Sequence, residues 1–410
     1  MINFEKLSGT YLLKLLLISM FMVSGLSYSY PTMTRKGYTT CATCHYNPSG
    51  GGVLTPYGRI ISTQVYGTFN DFFDTKVYGG LNKWLDKKVI KKGYTECSQA
   101  LPFLVQFDCN VGETKLPLFV SQVMMRAVQT TFDTPQYKKK QVRRMQVDFE
   151  LGIAPGDWQL IGTFGPRLDS AILGQNNYST IDVRRFWGGY VTQEWAFKVG
   201  KFFPEYGINH PNHNIPTRKG LWFQHNEEPY MAQGTSFSNT WDFTAGLLKG
   251  HKDTVLEDKN GGTATIAYKP VGNKRFGVSA LKVKDKSSTK ATPNDGTSYG
   301  AFAQIGAGDY WYLLSEIDRK LTRKKDKVTD EILGYTETGY EIYSGVNPYF
   351  AVEHKKDNKT KNTATTPEIG LQFHPVTHTE FVLQYGRTFS KIGDQKLTTN
   401  QGFIMGNFYF

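Results

Sequence analysis

Long apolar stretches are scarce in this 410-residue sequence. After residue 29, no stretch approaches the roughly 20 consecutive apolar residues that a membrane-spanning helix needs. The sequence also lacks a serine–histidine–aspartate pattern, a phosphate-binding glycine loop and an H-E-x-x-H motif. A helical membrane protein is therefore excluded, and no classical enzyme is predicted from the motifs.

The composition favours β-structure. Aromatic residues make up 14% of the chain, with 24 tyrosines and 27 phenylalanines, and there are 41 glycines. Such a mixture suits short strands and tight turns, whereas a helical bundle needs more leucine, alanine and glutamate. The net charge is +12, concentrated in the runs 138–140, 319–327 and 354–361. These runs are predicted to be loops, and no nucleic-acid-binding motif accompanies them, so a nucleic-acid partner is not expected.

Residues 1–29 are predicted to be a secretory signal peptide. Lys6 and Lys14 supply positive charge, residues 15–26 form an apolar stretch, and small residues precede a cleavage site before Tyr30. The alternative is an uncleaved membrane anchor, but the apolar run is short for a span of about 20 residues. The mature chain is thus expected outside the cytoplasm.

All four cysteines lie within residues 41–109. Export implies an oxidising compartment, so Cys97 and Cys109 are predicted to close a small disulfide loop. Two free thiols on neighbouring strands are the alternative.

The residue pattern of the sequence changes near residue 101. Residues 30–100 are irregular and rich in glycine and proline, which predicts a small segment without long regular elements. Residues 101–410 consist of runs of 8 to 12 residues separated by polar or glycine-rich turns. About 16 strands are predicted, near 101–109, 116–130, 141–153, 157–165, 181–188, 190–201, 240–249, 263–270, 275–284, 298–306, 309–318, 333–343, 347–356, 366–374, 378–387 and 401–410.

Apolar and polar residues alternate along these runs. Val147, Phe149 and Leu151 fall on one face of their strand, and the polar residues between them fall on the other. Strands of this length cross a membrane when tilted. A soluble β-sandwich shows the same alternation, but the strand length, the even number and the absence of a helical interruption favour an all-β transmembrane antiparallel barrel.

The chain ends in an aromatic strand. Phe410, Phe408, Gly406 and Ile404 alternate along it. This ending resembles the C-terminal signature of bacterial outer-membrane β-barrels, in which the terminal aromatic strand is recognised by the insertion machinery. The resemblance implies localisation in the outer membrane.

The five residues Cys41 to His45 match the C-x-x-C-H pattern of covalent haem attachment. Two thiols three positions apart add to the two vinyl groups of one haem, and the following histidine is then placed under the iron as the proximal ligand. The alternatives are a thiol–disulfide pair, which lacks its βαβ context, and half a zinc site, which lacks a second ligand pair. One haem c on Cys41, Cys44 and His45 is therefore predicted. The glycines at 50–52 would let the backbone pass close to a flat ring.

The distal iron ligand is left open by the sequence. Three of the eight histidines, His210, His213 and His225, lie in one long segment between strands and are the candidates. Met231 is a weaker candidate. The alternative is that these histidines are solvated loop residues.

Taken together, the layout resembles the fused monohaem cytochrome c–porins of bacterial outer membranes, as found in iron-oxidising bacteria. The resemblance implies that the segment 30–100 lies in or against the lumen of the barrel 101–410, whose wall shields the haem. It also implies electron transfer between an extracellular donor or acceptor and a periplasmic carrier such as a soluble cytochrome c, with iron oxidation left open. If the basic runs lie on the outer loops, an anionic extracellular partner is expected rather than a free metal cation. The alternative is that these loops bind the anionic outer leaflet.

Two other hypotheses about function remain open at this point. The chain is alternatively a passive outer-membrane porin with a haem-bearing or vestigial N-terminal plug. A periplasmic soluble β-protein with a sensory haem is a third reading.

Overall fold

The computed structural model describes residues 31–47, 52–55, 58, 68, 119–134, 137–168, 178–192, 194–212, 214–223, 228–251, 256–270, 272–285, 294–324, 327–376 and 379–409. Sixteen antiparallel strands close into one barrel. Each strand pairs with the next along the chain, and β1 pairs with β16 to close the ring. Closure removes both free edges, so every strand has neighbours on two sides.

Fourteen of the sixteen strands have at least the roughly nine residues that a tilted membrane crossing requires, whereas the fifth strand has seven and the sixth has eight. Their bounds are β1 Phe119–Thr134, β2 Tyr137–Ile153, β3 Trp158–Leu168, β4 Tyr178–Val191, β5 Trp195–Lys201, β6 Tyr230–Phe237, β7 Trp241–Lys249, β8 Lys259–Tyr268, β9 Lys274–Asp285, β10 Asn294–Ala307, β11 Trp311–Lys324, β12 Lys327–Tyr340, β13 Val346–Asp357, β14 Thr363–Phe373, β15 Thr379–Ile392 and β16 Gln395–Tyr409.

The predicted barrel is confirmed, but one predicted strand and one unpredicted strand need comment. The strand predicted at 101–109 lies outside the described residues, as do Cys97, Cys109 and Phe410. The strand β6 was not predicted, because after Tyr230 its outward positions carry the small residues Ala232, Gly234 and Ser236, which give no hydrophobic alternation. Three segments that were predicted to be loops instead belong to strands: 138–140 to β2, 319–324 to β11 and 354–357 to β13.

The alternation along the strands places polar side chains in the lumen and apolar ones outside. On β11, Tyr312, Leu314, Glu316 and Asp318 are buried inside, while Ile317 is 57% exposed on the outer face. On β16, Ile404 lies on this outer face with 49% exposure, as the terminal pattern predicts. An apolar outer belt around a polar lumen is the arrangement that a lipid bilayer requires, and it agrees with the predicted outer-membrane localisation. Within the described residues, no helix is long and apolar enough to cross a membrane.

The two ends of the barrel differ. Because the strand number is even, β1 begins and β16 ends at the same end, and the connections there are turns of three to five residues. This turn end carries a girdle of exposed aromatic side chains at Trp158, Tyr190, Trp195, Trp241, Tyr268 and Tyr340. Short turns face the periplasm in outer-membrane barrels, and aromatic girdles mark the membrane interface. The opposite, loop end therefore faces outward from the cell.

Two pieces of chain lie inside the barrel. The N-terminal lumen segment comprises the described residues 31–47 and 52–55, with 3₁₀ turns at Pro31–Lys36 and Cys41–Thr43. The inner loop comprises the described residues of the connection between β5 and β6, 202–212, 214–223 and 228–229, with one helical turn, α1, at Pro216–Lys219. Residues of both pieces join the barrel wall in one buried apolar cluster that includes Tyr46, Val53, Phe202 and Phe223.

Candidate functional site

The predicted haem motif forms one tight helical turn. The amides of Cys44 and His45 both donate to the carbonyl of Cys41, at 3.1 and 3.0 Å. A turn of this kind places side chains three positions apart on the same face. Cys41 and Cys44 are not in a disulfide with each other or with another described cysteine. The spacing therefore gives the local geometry that double thioether attachment requires.

The imidazole of His45 is buried, with 1% of the residue exposed. Its Nδ1 lies 3.2 Å from the carbonyl oxygen of Gly52. A bond from Nδ1–H to a backbone carbonyl fixes the tautomer that leaves Nε2 as the ligating nitrogen, which is the usual outer-shell arrangement of an iron-binding histidine. The donor set and its orientation thus fit the predicted proximal ligand.

A small hairpin holds His45 in place. His45 pairs with Leu54 as an isolated antiparallel bridge, and the amide of Thr55 donates to the carbonyl of Cys44 at 2.9 Å. The chain returns through Gly52, which has a φ of +72° and whose missing Cβ makes room for the carboxylate of Glu150. A flat ring was predicted from the sequence to require glycine here. In the structure, the Glu150 carboxylate of the barrel wall already requires a residue without a side chain at position 52.

Glu150 joins this hairpin to the wall. Its Oε1 accepts a hydrogen bond of 2.8 Å from the amide of Val53, and its Oε2 accepts one of 2.8 Å from the hydroxyl of Thr163. On the same hairpin, the ammonium group of Lys198 donates to Asn47 Oδ1 at 2.8 Å. Both wall residues are buried. Wall strands β2 and β5 thus hold the residues that follow the haem motif.

Burial sets the chemistry of the two thiols. It raises the pKa of Cys41 to about 12 and that of Cys44 to about 11. Both thiols are therefore protonated at neutral pH in this structure. Thiols of this kind are poor nucleophiles, which weighs against the thiol–disulfide alternative.

The start of the N-terminal lumen segment is held at the turn end. Glu341, which follows β12, accepts Lys36 Nζ at 2.8 Å and lies 3.4 Å from Arg35 Nε. Arg35 has no exposed surface, and its carbonyl accepts a hydrogen bond from Asn273. Although burial alone raises the pKa of Glu341, the charges of Arg35 and Lys36 bring that pKa below its usual value.

Of the three histidines predicted as distal ligands, the structure describes only His210. His210 is buried against Tyr335; its Nε2 lies 3.4 Å from Glu337, and its Nδ1 accepts the amide of Asn212 at 3.1 Å. Both ring nitrogens are thus engaged with other groups. His213 and His225 lie outside the described residues. The distal ligand stays a prediction.

Met231 has different surroundings. It is 3% exposed and belongs to the buried cluster that contains Tyr46 and Val53, which flank the His45–Leu54 bridge. Of the described candidates, Met231 rather than His210 shares a cluster with the neighbours of the haem motif.

The inner loop is bound to the wall by residues that sequence reasoning did not single out. Tyr206 donates to Asp318 at 2.8 Å, the amide of Ile208 donates to Glu316 at 3.2 Å, and the amide of Gly207 donates to Ser279 at 3.0 Å. These partners are 72 to 112 positions apart in the sequence. No local pattern signals such contacts, because only barrel closure brings the strands to the loop.

Among the described residues, no three or more histidine, cysteine, aspartate or glutamate side chains are grouped so that they could hold a metal ion.

Comparison with known proteins identifies the class of fold. No protein-family model matches the chain, and no curated protein is similar to it in sequence. The structure is similar to the outer membrane channel DcaP of Acinetobacter baumannii (12% identity, TM-score 0.52, covering 71% of this chain and 97% of that one). It is also similar to an anion-selective porin from Comamonas acidovorans (9% identity, TM-score 0.53, 71% and 99%) and to OmpT of Vibrio cholerae (12%, 0.52, 73% and 100%).

These likenesses concern the barrel. The chain has the fold of a 16-stranded outer-membrane porin-like barrel, and its outer surface agrees with a location in the bacterial outer membrane.

Proposed function

We propose that this protein transfers electrons across the outer membrane through one covalent haem c shielded by the barrel. Cys41 and Cys44 would hold the group by thioethers, and His45 would be its proximal ligand. The observation that carries the proposal is the buried His45, whose Nδ1 lies against the Gly52 carbonyl within a C-x-x-C-H turn inside the lumen. When bound, such a haem supplies reversible one-electron chemistry at its iron.

The described residues would perform three tasks in this role. Glu150 and Lys198 fix the hairpin that carries His45, so that the imidazole keeps its orientation. The inner loop fills the lumen beside it with buried side chains such as Phe202 and Tyr206, which exclude water. Glu341 holds the start of the segment near the turn end, the side from which a periplasmic electron carrier would approach. An extracellular donor or acceptor would be reached from the loop end.

The first experiment tests covalent attachment. The full chain is produced in a host that matures c-type haems, and the reduced outer-membrane fraction is examined by absorption spectroscopy before and after denaturation. We expect an α-band that survives denaturation in the parent protein and is lost in Cys44→Ala. The matched control is Cys97→Ala, which removes a thiol outside the motif and should retain the band. A folded barrel without bound haem would contradict the proposal.

A passive channel is the second candidate, because the similar structures include a channel and an anion-selective porin. Against it stand the N-terminal lumen segment and the inner loop, which occupy the barrel interior. We expect low conductance from the full chain in planar bilayers and a clear rise when residues 31–55 are deleted. If the full chain conducts as an open pore and the deletion changes nothing, the channel role is the better one.

A further inference from the structure

The outer face of β7–β9 contains a depression made by three alanines in one row. Strand register places Ala245 beside Ala264 and Ala264 beside Ala280, and all three side chains are exposed. Larger apolar side chains stand around the row; they are Leu247, Ile266, Val278, Tyr299 and Ile317. Two adjoining grooves of about 710 and 610 Å³ share Ala264 and Ala280. The outer wall of the barrel thus presents two adjoining apolar grooves to the membrane lipid.

Basic side chains stand at the loop end of these grooves. Lys282 lines one groove and Arg319 lines the other. Lys249 and Lys284 both flank Asn260 in the strand register, and each of these side chains is exposed. Arg319 pairs with Asp330 at 2.8 Å and still has 47% of its side chain exposed. The grooves therefore end in a cluster of positive charge on the outer surface.

The height of this cluster matches the membrane interface. Trp241 lies in the aromatic girdle at the turn end, and Lys249 follows it by eight positions on the same strand. A rise of about 3.4 Å per residue and a tilt of about 40° place the ammonium-bearing residue about 20 Å above the girdle. The apolar band of such barrels is about 25 Å tall. These residues therefore lie in the upper part of the apolar band, Lys282 about 5 Å lower than Lys249, and their long side chains reach toward the lipid headgroups of the outer leaflet.

We infer that this face binds a phosphorylated, multi-acyl lipid of the outer leaflet. The acyl chains would lie in the two grooves over the alanine row, and the phosphates would contact Lys282, Lys284 and Arg319. Ammonium and guanidinium groups form charge-assisted hydrogen bonds with phosphate oxygens. A second copy of this chain fits less well, because a two-fold contact through this face would oppose Lys282 and Lys284 to their own counterparts.

The test measures retained lipid on the full chain purified in mild detergent. The probes are bis-phosphorylated lipid A and, in parallel, phosphatidylethanolamine of matched chain length, both quantified by native mass spectrometry. We expect selective retention of lipid A, reduced about tenfold in the double variant Lys282→Gln/Lys284→Gln. The matched control is Arg387→Gln/Lys391→Gln, which removes two exposed charges from the outer face of β15 and should leave retention unchanged.

A second variant tests the groove apart from the charge. Ala264→Phe fills the space that both grooves share and should also reduce lipid A retention. Equal losses in the β9 and β15 double variants would mean diffuse charge attraction and would overturn the site. Efficient disulfide crosslinking of Ala264→Cys between chains in membranes would show that a second copy covers the face instead. None of these readouts depends on bound haem.

Discussion

The N-terminal lumen segment and the inner loop both lie inside the barrel and both bury apolar side chains, but they are tied to the wall differently. Charged side chains tie the first, whereas backbone amides and a tyrosine hydroxyl of the second donate to wall carboxylates and a serine. Arg35 and Lys36 pair with Glu341, and Lys198 holds Asn47. The inner loop buries a set of side chains that are at most 3% exposed: Phe202, Tyr206, Ile208, Ile215, Leu221 and Phe223. The difference follows from how each piece is joined to the barrel.

The inner loop is anchored by strands at both of its ends, so closing it costs little additional chain entropy. The N-terminal lumen segment precedes β1 by more than sixty residues. Its position must therefore be specified by strong, directional contacts, and buried ion pairs supply these. A mutation in one piece should therefore have a different kind of effect from a mutation in the other, and four predictions test this.

The largest effect is expected for Glu341→Gln. This change leaves the fully buried Arg35 without its carboxylate, and breaking a buried pair in this way costs about 3–5 kcal/mol. Residues 31–55 should become accessible to protease while the barrel still migrates as a folded species in SDS. The matched control is Asp330→Asn, which breaks the half-exposed pair with Arg319 and should cost about 0–1 kcal/mol.

The same contact has a predicted pH dependence. Because the folded state lowers the pKa of Glu341, its stabilisation is fully present above the ordinary value of 4.5 and is lost as the pH falls through the lower folded value. Protease sensitivity of the segment should rise below about pH 4 in the parent protein. Sensitivity that is equal at pH 3 and pH 7 would mean that other contacts hold the segment.

A smaller loss in the free energy of unfolding, about 3 kcal/mol, is expected for Gly207→Ala in the inner loop. Gly207 has a φ of +61°, and an added Cβ would collide with the carboxylate of Glu316, which accepts the amide of Ile208. Gly308→Ala is the matched control, since this turn glycine has a φ of +55° and open space around it. The control should cost about 1–2 kcal/mol. Equal midpoints of urea unfolding for the two variants would show that the Glu316 contact contributes nothing.

The smallest effect is expected for Glu228→Gln at the end of the inner loop, because glutamine has the shape and the neutral charge of the protonated carboxyl group. Burial raises the pKa of Glu228 to about 7, although Arg185 opposes the shift. The folded state therefore binds a proton that the unfolded chain releases above pH 4.5, so the stability of the parent falls as the pH rises from about 4.5 to 7. The glutamine variant should unfold at a higher temperature than the parent at pH 8 and at a similar one at pH 5. An unchanged difference across this range would contradict the shift.

The barrel was predictable from the alternation of polar and apolar residues along its strands. The strand that this reasoning did not find has a physical explanation. β9 reads as alternating exposed and buried residues, and the sequence carries that pattern directly. β6 escapes the same reasoning because Ala232, Gly234 and Ser236 occupy three of its four outward positions. Ala232 and Gly234 also help to line one of the outer grooves. A strand that presents small residues to the lipid therefore gives a weak hydrophobic signal.

The candidate site likewise has features that the sequence predicts and features that it does not. The motif Cys41 to His45 is local, because one helical turn brings both cysteines and the histidine to their relative positions. The partner of His45, Gly52, is seven positions away and also lies within the glycine run noticed in the sequence. By contrast, the loop histidines proposed as distal ligands were chosen by proximity in sequence. The fold engages His210 with Glu337, on a strand more than a hundred positions further along the chain.

The sequence by itself determined what depends on spacings of a few residues: the two-residue period of the strands, the aromatic final strand and the C-x-x-C-H turn. These properties follow from backbone geometry, which each short segment carries within itself. Only the tertiary structure decided which wall residues hold the N-terminal lumen segment and the inner loop, and that β6 completes the barrel. It also decided that basic side chains lie at the loop end of an alanine-lined groove. Those features join residues that are tens to hundreds of positions apart, and only the register and closure of the barrel make them neighbours.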